Sequence, residues 1–229
     1  MFVSKSMVKK VITINENQSL IEAQQTMVSN NIRHLPVVDN DNHLTGIITD
    51  RDMRSSMPFF LLDDKERNEQ LEKIKTLTVA DVMTPDPITI SPMDTIQDAL
   101  VLIQRKKVGA FPVVDEQGKL TGILSVRDLL RAFTNIMGIG EPGTLVGIIV
   151  EDRMGQLKKI VDVVTEEKIS FGSVLVARYW DEGKRAVFVY LRTNNVIRVK
   201  KRLQEIGFTL IDPMEWYLGQ LPGTVEPTI

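Results

Sequence analysis

The chain has 229 residues, 43% hydrophobic and 25% charged, with 28 Lys and Arg against 30 Asp and Glu for a formal net charge of -2. That balance marks an ordered globular protein of one large or two smaller domains, and it lacks the positive excess that displaces counterions from a nucleic acid. With no cysteine, no apolar signal core in "MFVSKSMVKK" and no apolar run near the roughly 20 residues of a membrane span, it reads as a cytoplasmic protein with neither nucleic acid nor membrane as partner.

In chain order, Thr13 and Ile14 close a β-favouring run, and Leu20, Ala23 and Met27 then fall on one face of a helix. "LPVVD" is an apolar strand stopped by the turn-forming "DNDN", and "HLTGIIT" is the next strand, leading into a second helix. The whole unit recurs: Met7 to Met57 aligns without a gap to Met83 to Phe133, "HLPVVDNDNHLTGIITDRDM" matching "AFPVVDEQGKLTGILSVRDL". Expected boundaries are 1-57 for the first unit, 58-82 for a structured, charge-rich connector and 83-138 for the second unit. Each has too little core to stand well alone, so the two should share an interface.

The junction of the last strand and helix carries the chemistry. Thr49 followed by Asp52, and Ser125 followed by Asp128, have the spacing of a capping box, in which hydroxyl and acid each satisfy an orphan amide. The same junction offers free amides and a positive dipole end to an anionic or hydroxyl-rich ligand, with Gly46 or Gly122 allowing close backbone approach. Capping and binding are compatible, and both readings stand at this point.

Gly46-Ile47-Ile48-Thr49-Asp50-Arg51-Asp52 and Gly122-Ile123-Leu124-Ser125-Val126-Arg127-Asp128, each preceded by an apolar-Pro-Val-Val-Asp strand, resemble the CBS domain family, whose paired units form a Bateman module. The resemblance implies an adenine nucleotide (AMP, ADP or ATP) or an adenosyl compound such as S-adenosylmethionine, bound between units. Asp52 and Asp128 would take ribose, and Thr49 and Ser125, with Arg51 and Arg127, the phosphate side. Arg33 and His34, before the proline of the first unit, are expected anion contacts. The second unit has Gly109 and Ala110 there, so its site would prefer a less charged ligand, borrow Lys106 or Lys107, or be empty.

Beyond the repeat, residues 139-217 read as strand, helix, two strands joined by "DEGK", helix and strand, ahead of a tail at 218-229. The first helix is expected to carry Leu157, Ile160, Val161 and Val164 on one face, the second Val196, Val199, Leu203 and Ile206, with Gly207 as its C-terminal signal. This is the ferredoxin-like βαββαβ order, which by itself names no function. It resembles the ACT domain: Asp152, Gly155 and Leu157 match that family's acid, glycine and leucine at the first strand-helix junction, implying a weak amino-acid site. An α/β (α+β) chain of tandem CBS units followed by an ACT unit resembles proteins of acetoin utilisation, implying a role around acetoin or acetyl-group metabolism.

Chemistry is poorly provided for. The histidines are His34 and His43 alone, and HExxH, GxSxG and GxxxxGK[ST] are absent, so no catalytic or metal residues are expected. The expectation is a non-catalytic sensor, most simply a homodimer acting on a partner enzyme. The alternative is a ligand-free scaffold.

Overall fold

A computed structural model describes residues 1-56, 74-138 and 140-211; the first part of the expected connector and the C-terminal tail lie outside these. The chain divides into two compact units, Met1-Arg131 and Ala132-Ile229.

The first unit contains α1 (Leu20-Ser29), β1 (His34-Val38), β2 (Leu44-Thr49) and α2 (Asp50-Ser56), then β3 (Thr84-Pro85), α3 (Ile96-Lys106), β4 (Ala110-Val114), β5 (Leu120-Ser125) and the start of α4 (Val126-Met137). β1 and β2 form an antiparallel hairpin with a register shift at Val37 and Val38. β4 and β5 repeat it, with the shift at the counterpart Val113 and Val114. Leu20, Ala23 and Met27 are buried as their spacing predicts, in one cluster with Leu35, Val37, Ile48 and Met53. The short strand expected at Thr13 and Ile14 is reduced to one parallel bridge from Ile14 to Val37, matched by Ile90 to Val113.

The repeats exchange the segments that precede them. β3, which opens the second repeat, pairs with β2 of the first, while Val8 bridges to Ile123 of the second. The helix starts are exchanged too: the Leu20 N-H donates to the Leu77 carbonyl at 3.0 Å, and the Ile96 N-H to the Met1 carbonyl at 2.9 Å. Two glycines lie where the crossing segments pack closely. A Cβ on Gly46 would lie 2.5 Å from the Met83 Sδ, and one on Gly122 would lie 2.5 Å from the Met7 Sδ. The hairpin turns also meet, the Leu44 N-H donating to the Gly118 carbonyl and the Leu120 N-H to the Asn42 carbonyl. Burial too modest for one unit is thus shared between two.

The second unit contains β6 (Thr144-Glu151), α5 (Gln156-Glu166), β7 (Phe171-Asp181), β8 (Lys184-Leu191), α6 (Ile197-Glu205) and β9 (Thr209-Leu210). Its sheet runs β7-β8-β6-β9, all neighbours antiparallel, which is the ferredoxin-like βαββαβ order. Alternate residues Val146, Ile148 and Val150 of β6 and Val187, Val189 and Leu191 of β8 share one core with Ile160, Val163 and Val164 of α5 and Val199 and Leu203 of α6. Both helices therefore cover the same sheet face.

Two expected helix faces shift. Leu157 is 43% exposed and Val161 is also open, because the buried stripe of α5 runs through Gln156, Ile160, Val163 and Val164, one residue round the helix. Ile206 is 47% exposed, since α6 ends at Glu205 and Gly207 turns the chain at φ +90. Phe208 takes the core place instead, its N-H donating to the Leu203 carbonyl while the Gly207 N-H bonds the Gln204 carbonyl, a Schellman end.

Candidate functional site

Thr49 stands where β2 becomes α2. Its N-H and Oγ1 both donate to the Asp52 Oδ2, at 2.9 and 2.7 Å, and the Asp52 N-H donates back to the Thr49 Oγ1 at 3.3 Å. Ser125 and Asp128 repeat this at 3.0, 2.5 and 3.3 Å. Ser19 with Glu22 and Thr95 with Asp98 build the same box at the starts of α1 and α3. Hydrogen bonds from Thr95 hold the Asp98 carboxyl below its ordinary range. The box is thus a general device of this fold for starting helices, and by itself it does not mark a ligand.

What distinguishes Asp52 is its surroundings. A cleft of about 590 Å³ lies within the first unit, lined from the first repeat by Arg33, His34, Ile47, Thr49, Asp50, Arg51, Asp52 and Arg54. Thr84, Asp86, Pro87 and Ile88, with Lys107 to Ala110, supply the lining from the second repeat. The volume suits a small molecule. Asp52 uses Oδ2 for the helix cap, and its Oδ1 has no hydrogen-bond partner among the described residues. Apolar lining comes from Ile47, Pro87, Ile88, Val108 and Ala110. Arg33, Arg51, Arg54 and Lys107 supply cations, of which Arg54 is held by Asp50 at 2.7 Å.

His34 meets the second repeat directly, since a Cβ on Gly109 would lie 2.7 Å from its Nε2. Burial and then the Arg33 charge lower its pKa below the ordinary 6.5, opposed by Asp52 and Asp50. Gly109, read from the sequence as a missing contact of the second site, is therefore what gives the His34 ring its room in the first.

Five of the expected residues, Arg33, His34, Thr49, Arg51 and Asp52, line this one cleft. Ser125, Arg127 and Asp128 do not line it. Asp128 is 7% exposed, and its Oδ1 lies 3.3 Å from the Arg131 Nη1, so both oxygens are engaged. The counterpart of Arg131 in the first repeat is Ser55, which has no charge to offer Asp52. Lys107, weighed above for the second site, lines the first. So do Asp86, Pro87 and Ile88, which sequence pattern did not single out because they reach the cleft only through the exchange of segments.

In the second unit Asp152 pairs with the Arg185 Nε at 2.6 Å. Gly155, at φ +87, precedes α5 with no side-chain cap on the helix. Asp39, Asp41 and His43 also gather, within 4.8 Å. There the Asp39 Oδ1 accepts from the Asp41 and His43 N-H groups, as Asp115 accepts from Gln117 and Lys119. The repeat of this pattern with Lys119 in place of His43 makes the trio a hairpin turn, not a metal centre. No helix among the described residues is long and apolar enough to cross a membrane.

The CBS domain family model matches residues 3-58 and 79-135. A CBS domain-containing protein of Dictyostelium discoideum is 36% identical over 137 residues, 59% of this chain and 92% of that protein. Enzymes among the curated relatives align over a small part of their own length, as inosine-5'-monophosphate dehydrogenase of Methanocaldococcus jannaschii does at 35% identity over 22% of its chain. Among solved structures, CBSX2 of Arabidopsis thaliana in complex with AMP has 28% identity and a TM-score of 0.50, covering 59% of this chain and 97% of that one. A Vibrio cholerae protein named for acetoin utilization (AcuB) has 24% identity and a TM-score of 0.51 over 62% of this chain and 98% of that one, a likeness of fold.

Proposed function

The chain belongs to the CBS domain family, and on that premise we propose that it is a non-catalytic regulatory sensor whose first-repeat cleft binds an adenine nucleotide or adenosyl ligand. One observation carries the reading: Asp52 caps α2 with a single oxygen and its other oxygen has no partner among the described residues, in a cleft that also holds Thr49, Arg33, His34 and Arg51. Ribose hydroxyls would donate to the free Oδ1, the base would lie on the apolar lining, and phosphate would meet the hydroxyl and the cations. The AMP complex of CBSX2 supports this ligand class. Binding at a cleft lined by both repeats would change function only through a difference in affinity between two arrangements of the assembly, typically worth about 1 to 3 kcal/mol.

In the same reading, the second unit is an ACT-type module that pairs with a second copy of the chain and takes an amino acid near Asp152, Gly155 and Leu157, where α5 begins without a side-chain cap. A regulated partner enzyme around acetoin or acetyl-group metabolism rests on the resemblance in module order alone. A ligand-free scaffold role is favoured at the second repeat, where Arg131 already holds Asp128.

The test is a thermal-melt screen of the full chain against AMP, ADP, ATP, S-adenosylmethionine and amino acids, with mass spectrometry of any co-purified ligand. A ligand at 100 times its dissociation constant stabilises by about 2.7 kcal/mol. Absence of a shift with every adenosine compound overturns the sensor reading and leaves the scaffold.

A further inference from the structure

Building on the adenosyl-ligand reading of the first-repeat cleft, we propose that this cleft is selective for nucleosides carrying two or three phosphates, and that Lys107 of the second repeat with Arg33 of the first clamps the outer phosphates. The cations of the cleft come from separate places: Arg33 precedes β1, Arg51 lies in the first turn of α2, and Lys107 is the C-cap of α3. Arg54 is committed to Asp50, whereas Arg33, Arg51 and Lys107 have no ion pair among the described residues. A single phosphoryl group concentrates its oxygens at one point. A di- or triphosphate extends, and so can reach cations donated by both repeats.

Lys107 is also held in an unusual backbone state. It is left-handed at φ +54, and its counterpart at the end of α1, Asn31, is left-handed at φ +51. Asparagine enters that region readily, and lysine does so at a cost in free energy. The second repeat thus keeps a lysine where its sibling has the residue that fits, and Lys107 lines the cleft of the first repeat. Lys168, just past the end of α5, is left-handed too at φ +57, so it is the place of Lys107 in the cleft lining, and not its backbone alone, that assigns it to the clamp.

Titration calorimetry with ATP, ADP, AMP and S-adenosylmethionine tests this on the full chain, Lys107→Asn, Lys107→Gln and Asp52→Asn. The wild type should bind ATP or ADP at least about tenfold more tightly than AMP, since one added charged hydrogen bond is worth about that factor. Lys107→Asn should remove most of that preference by weakening ATP and ADP far more than AMP, and should melt no lower than wild type, because it installs the sibling residue. Lys107→Gln, which keeps a long side chain without the charge, should remove the same preference. The preference should also shrink as ionic strength rises. Equal affinity for AMP and ATP in the wild type, or equal weakening of both by Lys107→Asn, overturns the clamp. In that outcome AMP still binds and still depends on Asp52, so the sensor reading survives. If no adenosyl compound binds at all, both readings fall.

Discussion

Asp52→Asn separates the two tasks assigned to one carboxylate. In the protein the Asp52 Oδ2 accepts from the Thr49 N-H and Oγ1, and an asparagine carbonyl can still accept both. The helix start should therefore survive. What is lost there is the acid at the helix N-terminus, about 0.3 to 1 kcal/mol, equivalent to at most about 2 to 4 °C in Tm for a chain of this size. The cleft-facing atom changes from an acceptor to an NH2 group, which cannot take a ribose hydroxyl proton. Losing a hydrogen bond to a charged group costs about 1.5 to 3 kcal/mol, or a rise in Kd of roughly 10- to 150-fold. Calorimetry with whichever adenosyl ligand binds, together with a melt without ligand, reads both quantities. Glu22→Gln is the control, because Glu22 closes the same box at the start of α1 and does not line the cleft. A variant Asp52→Asn that melts like Glu22→Gln and binds ligand like wild type would refute the reasoning and reduce Asp52 to a cap.

Ligand affinity should depend on pH through His34. Its pKa is lowered in the folded protein by burial and by Arg33, so the unfolded chain binds the proton more readily and stability falls as pH drops from the ordinary 6.5 toward the folded value. A phosphate beside the ring favours the protonated form, so binding should take up a proton and tighten over the same window. His34→Gln should flatten both profiles, and calorimetry in buffers of different ionisation enthalpy checks the uptake. Gly122→Ala should destabilise by pressing on the Met7 Sδ, and Met7→Ala should relieve that clash. A double-mutant cycle by denaturant melts that shows no coupling would argue against the exchange of segments between repeats. Gly207→Ala, at φ +90 with its N-H on the Gln204 carbonyl, should cost about 1 kcal/mol or more in the same melts.

Elements with strong local patterns were legible. The 76-residue repeat, the buried faces at Leu20, Ala23 and Met27, the boxes at Thr49 and Ser125 and the C-terminal signal of Gly207 all follow from neighbours in the chain. Leu157, Val161 and Ile206 were placed in a core they do not enter, because periodicity marks an apolar flank as readily as the stripe that faces a sheet. Lys107 illustrates the harder case. Nothing local connects it to Asp52, and only the packing of one repeat against the other brings them to one cleft.

The amino-acid sequence by itself determined that this protein is a doubled unit followed by a βαββαβ unit, and which residues start and stop its helices, because those properties depend on side chains within a few turns of one another. Tertiary structure alone decided which of the two similar acids stands in the cleft lined by both repeats. Asp128 has Arg131 one turn along its own helix and both oxygens engaged, while Asp52 has one oxygen without a partner among the described residues and a cleft completed by the other repeat. Arg131 against Ser55 is written one turn past the motif, but the cleft is made by residues distant in the chain, and near-identical motifs cannot display it.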